Sequence, residues 1–313
     1  MKNIPVLHVS GPSLAIAYEN ALIALYRQGV TFKTQYDREG DPLSLDCTMN
    51  ITVENPLADP MVHKAFPGGF ADLREYVYEL QGLKDNWVKN INDPEDTRWE
   101  YTYHGRLHNY GAWKEKVMVD GAWKSCEAGA FCIDQIEQVI DKLSKQPFTR
   151  QAQMITWMPN LDLDCFDPPC LQSLWYRLIE DEKGVYWLNC NVRFRSNDAW
   201  GANFMNMFGF IQFNQEIIAK GIAQRTGRIV QLARLNWHAD SYHIYGKDIA
   251  QAKARLFDRL ESTSFEDRVY NFHDPMVQEL YHEEEAGILR KIEDMNQRML
   301  SGKATGITSA PTR

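Results

Sequence analysis

The sequence lacks any Cys-x-x-Cys pair, although it contains six cysteines. This absence removes the commonest signatures of zinc sites and of thioredoxin-like redox sites, so we expect no metal site. No apolar run is long enough to span a membrane, and residues 1–10 lack the basic segment followed by an apolar run that marks a secretory signal. We therefore expect a cytoplasmic protein whose thiols stay reduced and which has no membrane partner.

Clustered positive charge is also missing. The 313 residues carry a formal net charge of −8, which disfavours binding to nucleic acid, because phosphate backbones attract grouped lysine and arginine. A single phosphorylated small molecule remains compatible, since it needs only a few arginines. The chain shows no internal repeat and no linker that would divide it. Its 12% aromatic content argues against long disordered stretches.

The periodicity of apolar residues predicts a single α+β domain with a large mixed β-sheet. The chain begins with a strand, Val6 to Val9, and a helix that Ser13 caps and that ends at Gly29. The other predicted helices are Phe70 to Leu83, Ala130 to Leu143, Ala202 to Arg225, Ala250 to Leu260 and Pro275 to Leu300. The other predicted strands are Leu43 to Val53, Met154 to Trp157, Cys170 to Ile179, Tyr186 to Arg195, Ile229 to Leu235 and His238 to Tyr245.

Two polar side chains occupy notable places in this pattern. The strand Tyr186 to Arg195 has an apolar face that includes Cys190 and a polar face that ends with Arg195. The helix Ala202 to Arg225 is apolar on most sides in its first half, yet it contains Asn206. A buried amide without hydrogen-bond partners costs about 1–3 kcal/mol, so Asn206 needs a partner from the protein or from a ligand.

Four motifs carry a resemblance to a known family. They are Pro168-Pro169-Cys170, Arg195-Ser196-Asn197-Asp198, Asn206 and His243-Ile244-Tyr245. In order and character they resemble the thymidylate synthase and pyrimidine hydroxymethylase family. Two further segments, Tyr101 to Leu107 and Ser241 to Tyr245, look most like the archaeal-type branch of that family. The resemblance is strong from about Trp99 to Asp248.

The resemblance implies a fold, an assembly and domain boundaries. Residues 1–260 would form a thymidylate synthase-like catalytic domain, whose sheet packs against the sheet of a second copy in a homodimer. Residues 261–300 would be a C-terminal helical extension. Residues 301–313, rich in glycine, serine, threonine and proline, would be a disordered tail.

The chemistry of such a reaction explains why a thiol beside an arginine is needed. C5 of a pyrimidine is a poor nucleophile, and addition of a thiolate to C6 turns C5 into an enolate-like carbon. The thiolate is the reactive form, and a nearby guanidinium lowers the pKa of a thiol. Cys170 with Arg195 fits this requirement, whereas Cys170 alone would be explained equally well as a core cysteine.

By resemblance, arginines and a serine bind the 5′-phosphate of the nucleotide. Arg195 and Ser196 would contact it, helped by Arg38 from the first turn. Arginine suits phosphate because its planar fork makes two hydrogen bonds at once. A second subunit would donate Arg150. The family usually has two consecutive arginines at that place, and here Gln151 replaces the second.

The base and the sugar would be held by four other residues. Asp198 would hold the base ring and the active-site backbone. Asn206 would read O4 and N3–H of uracil, because an amide both donates and accepts. Cytosine-specific relatives tend to carry Asp at that position, so Asn206 favours dUMP over dCMP. His243 and Tyr245 match positions that bind the sugar 3′-hydroxyl.

A carboxylate should relay protons to uracil O4, and two glutamates compete for that role. Glu75 has the better spacing to Gly82, whereas Glu79-Leu80 resembles the Glu-Leu pair of the family. We favour Glu75, although a solvated helix face would explain either residue alone. The candidates for the folate side of the pocket are Trp99, Tyr103 and His104, with core packing as the alternative for Trp99.

The most economical expectation is methylation of dUMP to dTMP with 5,10-methylenetetrahydrofolate as cofactor, through a covalent adduct between Cys170 and C6. The alternative is 5-hydroxymethylation of dUMP, dCMP or CMP, with water added in place of a hydride; the missing C-terminal lid sequence favours it. An inactive nucleotide-binding or RNA-binding relative is a reading of another class. A cysteine hydrolase that uses Cys170 and His243 would need an orienting group and an oxyanion motif, which the sequence does not show.

Overall fold

The computed structural model describes residues 3–90, 93, 96, 98–128 and 132–300. The predicted disordered tail, 301–313, and the start of the predicted helix at Ala130 lie outside the described residues. Over the described ranges, no helix is both long enough and apolar enough to cross a membrane.

The described ranges contain twelve strands, and eight of them form one mixed sheet. The strands are β1 (Val6–Gly11), β2 (Val30–Phe32), β3 (Ser44–Val53), β4 (Val62–His63), β5 (Trp113–Val119), β6 (Ala122–Ala128), β7 (Ala152–Ile155), β8 (Leu171–Glu180), β9 (Tyr186–Phe194), β10 (Asn197–Asp198), β11 (Val230–Ile244) and β12 (Val269–Tyr270). The sheet order is β1-β3-β11-β9-β8-β7, with β2 beside β3 and β10 beside β11. β3 runs parallel to β1 and antiparallel to β11, and β9 runs parallel to β11 and antiparallel to β8. The predicted large mixed sheet is therefore confirmed.

The described ranges contain ten α-helices. They are α1 (Leu14–Gln28), α2 (Phe70–Leu80), α3 (Tyr103–His108), α4 (Gln135–Lys145), α5 (Pro159–Asp162), α6 (Asn203–Phe213), α7 (Lys220–Thr226), α8 (Ile249–Arg255), α9 (Pro275–Glu283) and α10 (Glu285–Leu300). A π-helical segment, Asn214–Ala219, joins α6 to α7. Apolar side chains of α1, α2 and α6 form one core with the inner face of the sheet.

The alternation predicted for β9 is confirmed. Leu188, Cys190 and Val192 are buried, whereas Trp187 is only half-buried and Arg193 is exposed. One face of the sheet therefore carries the core. The opposite face presents polar and aromatic side chains that this chain leaves partly open.

The structure differs from the predicted elements in several places. The two strands predicted between Ile229 and Tyr245 are one strand, β11, because β3 and β9 hydrogen-bond to it on both sides, and a bulge after Ala239 absorbs the change of register. The predicted helix Pro275 to Leu300 is two helices, α9 and α10. The β5–β6 hairpin was not predicted.

The cap predicted at Ser13 was wrong in its contact. Ser13 stands at the N-cap position of α1, but its side chain does not accept a helix N–H. Its hydroxyl instead donates to the carbonyl of Pro60 at 2.7 Å. The residue therefore ties the start of α1 to a distant loop.

The C-terminal helices pack on α2 and on the turn that follows it. Ile288 and Ile292 are buried with Tyr78 and Trp87 in a second apolar cluster. The indole of Trp87 donates to Asn296 Oδ1 at 3.0 Å. The last described helix is thus packed against the body of the domain.

A buried ion-pair cluster joins α1 to the segment before β12. Arg268 makes two hydrogen bonds to Glu19, at 2.7 and 2.8 Å, and His63 Nε2 lies 2.8 Å from the same carboxylate. The Ala65 N–H donates to His63 Nδ1, so Nε2 carries the proton and donates to Glu19. Burial alone would raise the pKa of Glu19, but His63 and Arg268 outweigh it and lower the pKa to about 2.

We expect Glu19→Gln to destabilise the fold strongly at neutral pH. Lowering the carboxyl pKa from 4.5 to about 2 corresponds to about 3 kcal/mol of stability. This contribution is fully present above pH 4.5 and is lost as the pH falls through the folded pKa near 2, so the difference between wild type and variant should be smaller at pH 3 than at pH 7. Urea unfolding at pH 7 and pH 3 measures it. Lys145→Gln, in an exposed pair with Asp141, should cost only about 0.5 kcal/mol. A Glu19→Gln variant as stable as this control at pH 7 would contradict the assignment.

Candidate functional site

Cys170 and Arg195 are brought together by the pairing of β8 with β9. Cys170 precedes β8 and Arg195 follows β9, and these strands are antiparallel neighbours, so their ends coincide. The Arg195 N–H donates to the Cys170 carbonyl at 2.8 Å. The Arg195 guanidinium donates to the carbonyls of Pro169, at 3.0 Å, and Pro168, at 2.5 Å. The arginine thus braces the loop that presents the thiol.

A cavity of about 80 Å³, here called the small cavity, opens beside this pair. Its lining residues are Phe32, Thr34, Gln35, Tyr36, Asp167, Cys170, Arg195, Ser196, Ser241, His243 and Tyr245. Five residues predicted from sequence therefore meet in one place: Cys170, Arg195, Ser196, His243 and Tyr245. Periodicity could not show this, since the residues come from three separate parts of the chain.

His243 is connected to a buried carboxyl through Ser241. The Ser241 hydroxyl donates to Asp46 Oδ2 at 2.9 Å and lies 3.3 Å from His243 Nδ1. Because the hydroxyl has one proton, His243 Nδ1 must donate to it when it donates to Asp46. Burial raises the pKa of Asp46 to about 6. Sequence reasoning missed Asp46, although the alternation of Ser241, His243 and Tyr245 along one strand face could have pointed to a polar neighbour.

Asn206 has protein partners at both ends of its amide. Its Oδ1 accepts from Asn197 Nδ2 at 3.0 Å, and its Nδ2 donates to the Tyr76 hydroxyl at 2.8 Å. Asn206 is 7% exposed and is not among the residues that line the small cavity. The expectation that a buried amide finds hydrogen bonds is confirmed. Tyr76 was not predicted, because nothing local distinguishes it from a core tyrosine.

Asp198 organises the backbone that enters α6. Its Oδ1 accepts the N–H groups of Trp200, at 3.1 Å, and Gly201, at 2.8 Å. A Cβ at Gly201 would lie 2.6 Å from Asp198 Oδ2, so a larger residue there would require the carboxylate to shift. The carboxylate is therefore committed to holding this turn.

The other two phosphate candidates lie outside the small cavity. Arg38 is exposed, two residues after the lining residue Tyr36, and its N–H donates to Asp41 Oδ2 at 2.8 Å. Arg150 is exposed just before β7, where its carbonyl accepts from the indole of Trp175 at 2.9 Å. Within one chain neither arginine joins the group around Cys170.

The two candidate glutamates share Lys84 but differ in charge environment. Glu75 pairs with Lys84 at 2.9 Å and with Lys291 at 3.0 Å. Burial opposes ionisation of Glu75, but the two lysines outweigh it and lower its pKa. Glu79 lies 3.3 Å from Lys84, and burial raises its pKa. Of the two, Glu79 has the environment typical of a proton-transfer group.

None of the three folate candidates lines a cavity that is described. Trp99 packs beside Trp87, with ring centroids 5.2 Å apart. Tyr103 packs against Phe194 within the main core. His104 Nδ1 lies 2.7 Å from a carboxylate oxygen of Asp85. Core packing, the alternative for Trp99, agrees with its position.

A cavity of about 790 Å³, here called the large cavity, adjoins the loop that carries Cys170. Phe166 lines it, and the next residue, Asp167, lines the small cavity. The lining includes the aromatic residues Tyr101 and Trp113, and Trp113 Nε1 is buried without a hydrogen-bond partner within the described ranges. The other charged and polar lining residues are Asp85, Asn86, Lys89, Glu100, Thr102, Arg106, His108, Asn109, Asn160, Asp162, Asp164 and Cys165. Aromatic faces and carboxylates fit the flat rings and N–H donors of a folate.

Three tyrosines interact electrostatically with the Cys170 thiol. Burial raises the pKa of Tyr76, Tyr101 and Tyr103 above its usual range, and negative charge on Cys170 raises it further. These phenols therefore stay protonated at neutral pH. Each can donate a hydrogen bond toward a negative charge that develops near Cys170.

The chain is similar to one known protein family and to several named proteins. The sequence profile described as thymidylate synthase matches residues 74–273, from α2 through the segment after β12. A protein of Methanocaldococcus jannaschii named "Putative thymidylate synthase" is 28% identical over 245 residues, which cover 77% of this chain and 91% of that protein. A protein of Methanosarcina barkeri with the same name is 27% identical over 213 residues, which cover 68% of this chain and 78% of that protein.

Proposed function

The chain belongs to the thymidylate synthase family, and from that premise we propose that it methylates dUMP to dTMP with 5,10-methylenetetrahydrofolate. The observation that carries the proposal is the small cavity, where Cys170 and Arg195 lie beside Ser196, His243 and Tyr245. A nucleophile, a phosphate ligand and two sugar ligands meet there. A cysteine hydrolase would also need hydrogen-bond donors arranged around an oxyanion, and no such arrangement is described at the small cavity.

Cys170 forms the covalent bond in this proposal. Its thiolate adds to C6, the C5–C6 electron pair becomes available at C5, and the charge spreads to O4. After C5 bonds to the one-carbon unit, loss of the C5 proton and cleavage of the bond between that carbon and the folate nitrogen leave an exocyclic methylene on the Cys170 adduct. Addition of a hydride to this methylene re-forms the C5–C6 double bond and expels the thiolate. The bound folate supplies the one-carbon unit and, for methylation, the hydride. The large cavity is the place that we propose for it.

Arg195 serves two purposes. Its guanidinium holds the carbonyls of Pro168 and Pro169, which fixes the loop carrying the thiol. It also lines the small cavity with Ser196, where guanidinium and hydroxyl can bind a 5′-phosphate. His243 and Tyr245, at the end of β11, are placed to bind the sugar 3′-hydroxyl.

We also propose a homodimer formed through the open face of the sheet. Trp175 and Trp187 lie on that face and are only half-buried in one chain. Half-exposed tryptophans on a sheet are typical of a surface that a partner covers. Arg150, which does not reach the small cavity of its own chain, would then contribute to the phosphate site of its partner.

One assay separates the candidate reactions. Purified protein is incubated with 5,10-methylenetetrahydrofolate and with dUMP, dCMP or CMP tritiated at C5. We expect tritium release from dUMP with an equal amount of dihydrofolate, detected by absorbance. Release without dihydrofolate would indicate hydroxymethylation, release from dCMP alone would refute the uracil assignment, and no release from any substrate would favour the inactive relative.

A further inference from the structure

We propose that Asn197, which is oriented by the indole N–H of Trp237, is a positioning residue that determines which pyrimidine is bound. It holds the Asn206 amide in the orientation that pairs with uracil and not with cytosine. This inference rests on the proposed function, since it concerns how that site selects its pyrimidine. It takes Asn206 as the residue that would read the base, and it assigns the selection to the side chains that orient the Asn206 amide within the protein.

The first step concerns what Asn206 still offers. Asn197 Nδ2 occupies one lone pair of its Oδ1, and the Tyr76 hydroxyl takes one hydrogen of its Nδ2. An amide has two lone pairs and two N–H donors. One acceptor site and one donor therefore remain, which is the number that the C4–N3 edge of a pyrimidine requires.

The second step concerns which end of the amide is which. Trp237 is fully buried, and its Nε1 lies 3.0 Å from Asn197 Oδ1. An indole N–H can only donate, so an oxygen must face it. Asn203 Nδ2 donates to the same oxygen at 2.6 Å. Asn197 must therefore donate its N–H group to Asn206, and the side-chain oxygen of Asn206 must accept it.

The third step excludes the other ends of the network as the cause. Tyr76 accepts from Asn206, and the Tyr242 hydroxyl donates to Asn203 Oδ1 at 3.0 Å. Burial raises the pKa of both phenols well above 10, so both remain neutral hydroxyls. A neutral hydroxyl can donate or accept and would tolerate either orientation of its amide. The indole N–H of Trp237 can only donate, so it fixes the orientation of the amide that it faces.

The consequence is that the Asn206 amide cannot exchange the positions of its oxygen and its nitrogen. Uracil presents an acceptor at C4 and a donor at N3, and cytosine presents the reverse. The orientation of the ring would be set by the phosphate at Arg195 and by the sugar at His243 and Tyr245, which line the small cavity. A freely turning amide would read both bases, whereas a fixed one leaves cytosine with donor against donor. We expect a preference for dUMP over dCMP of about 100-fold or more.

The decisive variant is Asn197→Asp. A carboxylate can accept from Trp237 and Asn203 as the amide oxygen does, but it also demands an N–H from Asn206. The Asn206 amide must then turn, and the preference should change in favour of dCMP, with the affinity ratio altered by about 100-fold or more. Affinities for dUMP and dCMP are measured by isothermal titration in the Cys170→Ser background, where no turnover occurs. Tritium release with Cys170 present is the second readout.

Two further variants distinguish an effect of hydrogen-bond direction in this network from a general loss of structure. Tyr76→Phe removes a hydrogen bond to Asn206 without changing the sense of the network, so both nucleotides should bind more weakly with the preference retained. Trp237→Phe keeps an aromatic ring against Phe194, where the present rings stack at 4.6 Å, but removes the fixed donor. The preference should then relax toward equal binding.

Several results would overturn the inference. One is an unchanged dUMP preference in Asn197→Asp with a melting temperature close to wild type; if that variant does not fold, an unchanged preference in Trp237→Phe has the same force. A wild-type preference for dCMP, or a switch produced equally by Tyr76→Phe, would also refute it. Selective dUMP binding without tritium release would refute the proposed reaction alone, and the variants would still decide the inference.

Discussion

Cys170→Ser is expected to abolish tritium release from C5 of dUMP, with a loss on the order of 10⁴-fold or more. A serine hydroxyl is not ionised at neutral pH, and Arg195, which is held by Pro168 and Pro169, cannot make it a comparable nucleophile. Cys170 is half-buried before β8, and serine is close to it in size, so the fold should persist. The assay is tritium release, together with dUMP binding, which should be retained.

The matched control is Cys132→Ser. Cys132 is exposed and lines neither described cavity, so its replacement should leave the rate within about twofold of wild type. If Cys170→Ser released tritium at a rate close to that of wild type, no covalent adduct would be required. The chain would then fit a family member that binds nucleotides by another use of the same pocket.

Glu79→Gln is expected to lower the rate by about 10²- to 10⁴-fold, the usual contribution of a positioned proton-transfer group. Burial raises the pKa of Glu79, which keeps it able to hold and release a proton closer to neutral pH. Because the pKa of Glu79 is raised, its carboxylate forms only at a pH above the usual range for a glutamate. The part of the pH–rate profile in which the rate rises from acid pH should therefore depend on Glu79. That part of the profile should be absent or displaced in Glu79→Gln.

Glu75→Gln is the matched variant, because Glu75 pairs with the same Lys84 and lies one helical turn earlier. Its lysine partners lower its pKa, so it should stay ionised over the range of the assay, and its replacement should cost about tenfold or less. The rate and its pH profile are compared for both variants. A larger loss in Glu75→Gln would instead assign the relay to the residue that the spacing to Gly82 favours.

The elements that could be predicted from sequence are those whose signal is local. The helix after Ser13, the helix of α2 and the alternation along β9 are set by which neighbouring side chains share a face, and the structure has them where periodicity placed them. The continuous strand β11 was divided in prediction. Its continuity is decided by β3 and β9 on either side, and these lie far away in the chain.

The candidate site shows the same division. Cys170, Arg195, Ser196, His243 and Tyr245 were found because short motifs carry their identity, and the sheet places all five on the small cavity. Periodicity and motifs alike gave no sign of the partners behind them. Asp46 is 195 positions from Ser241, and Tyr76 is 130 positions from Asn206.

The sequence by itself determined the family and the α+β class, and it supplied the candidates for the reactive residues, because residue type and local spacing carry that information. The tertiary structure decided which glutamate is held by a second lysine, since Lys291 reaches Glu75 from the C-terminal helix. It also decided the sense of the Asn206 amide, because an indole 40 positions beyond Asn197 donates into a buried network. Hydrogen-bond direction depends on groups that only the folded chain brings together.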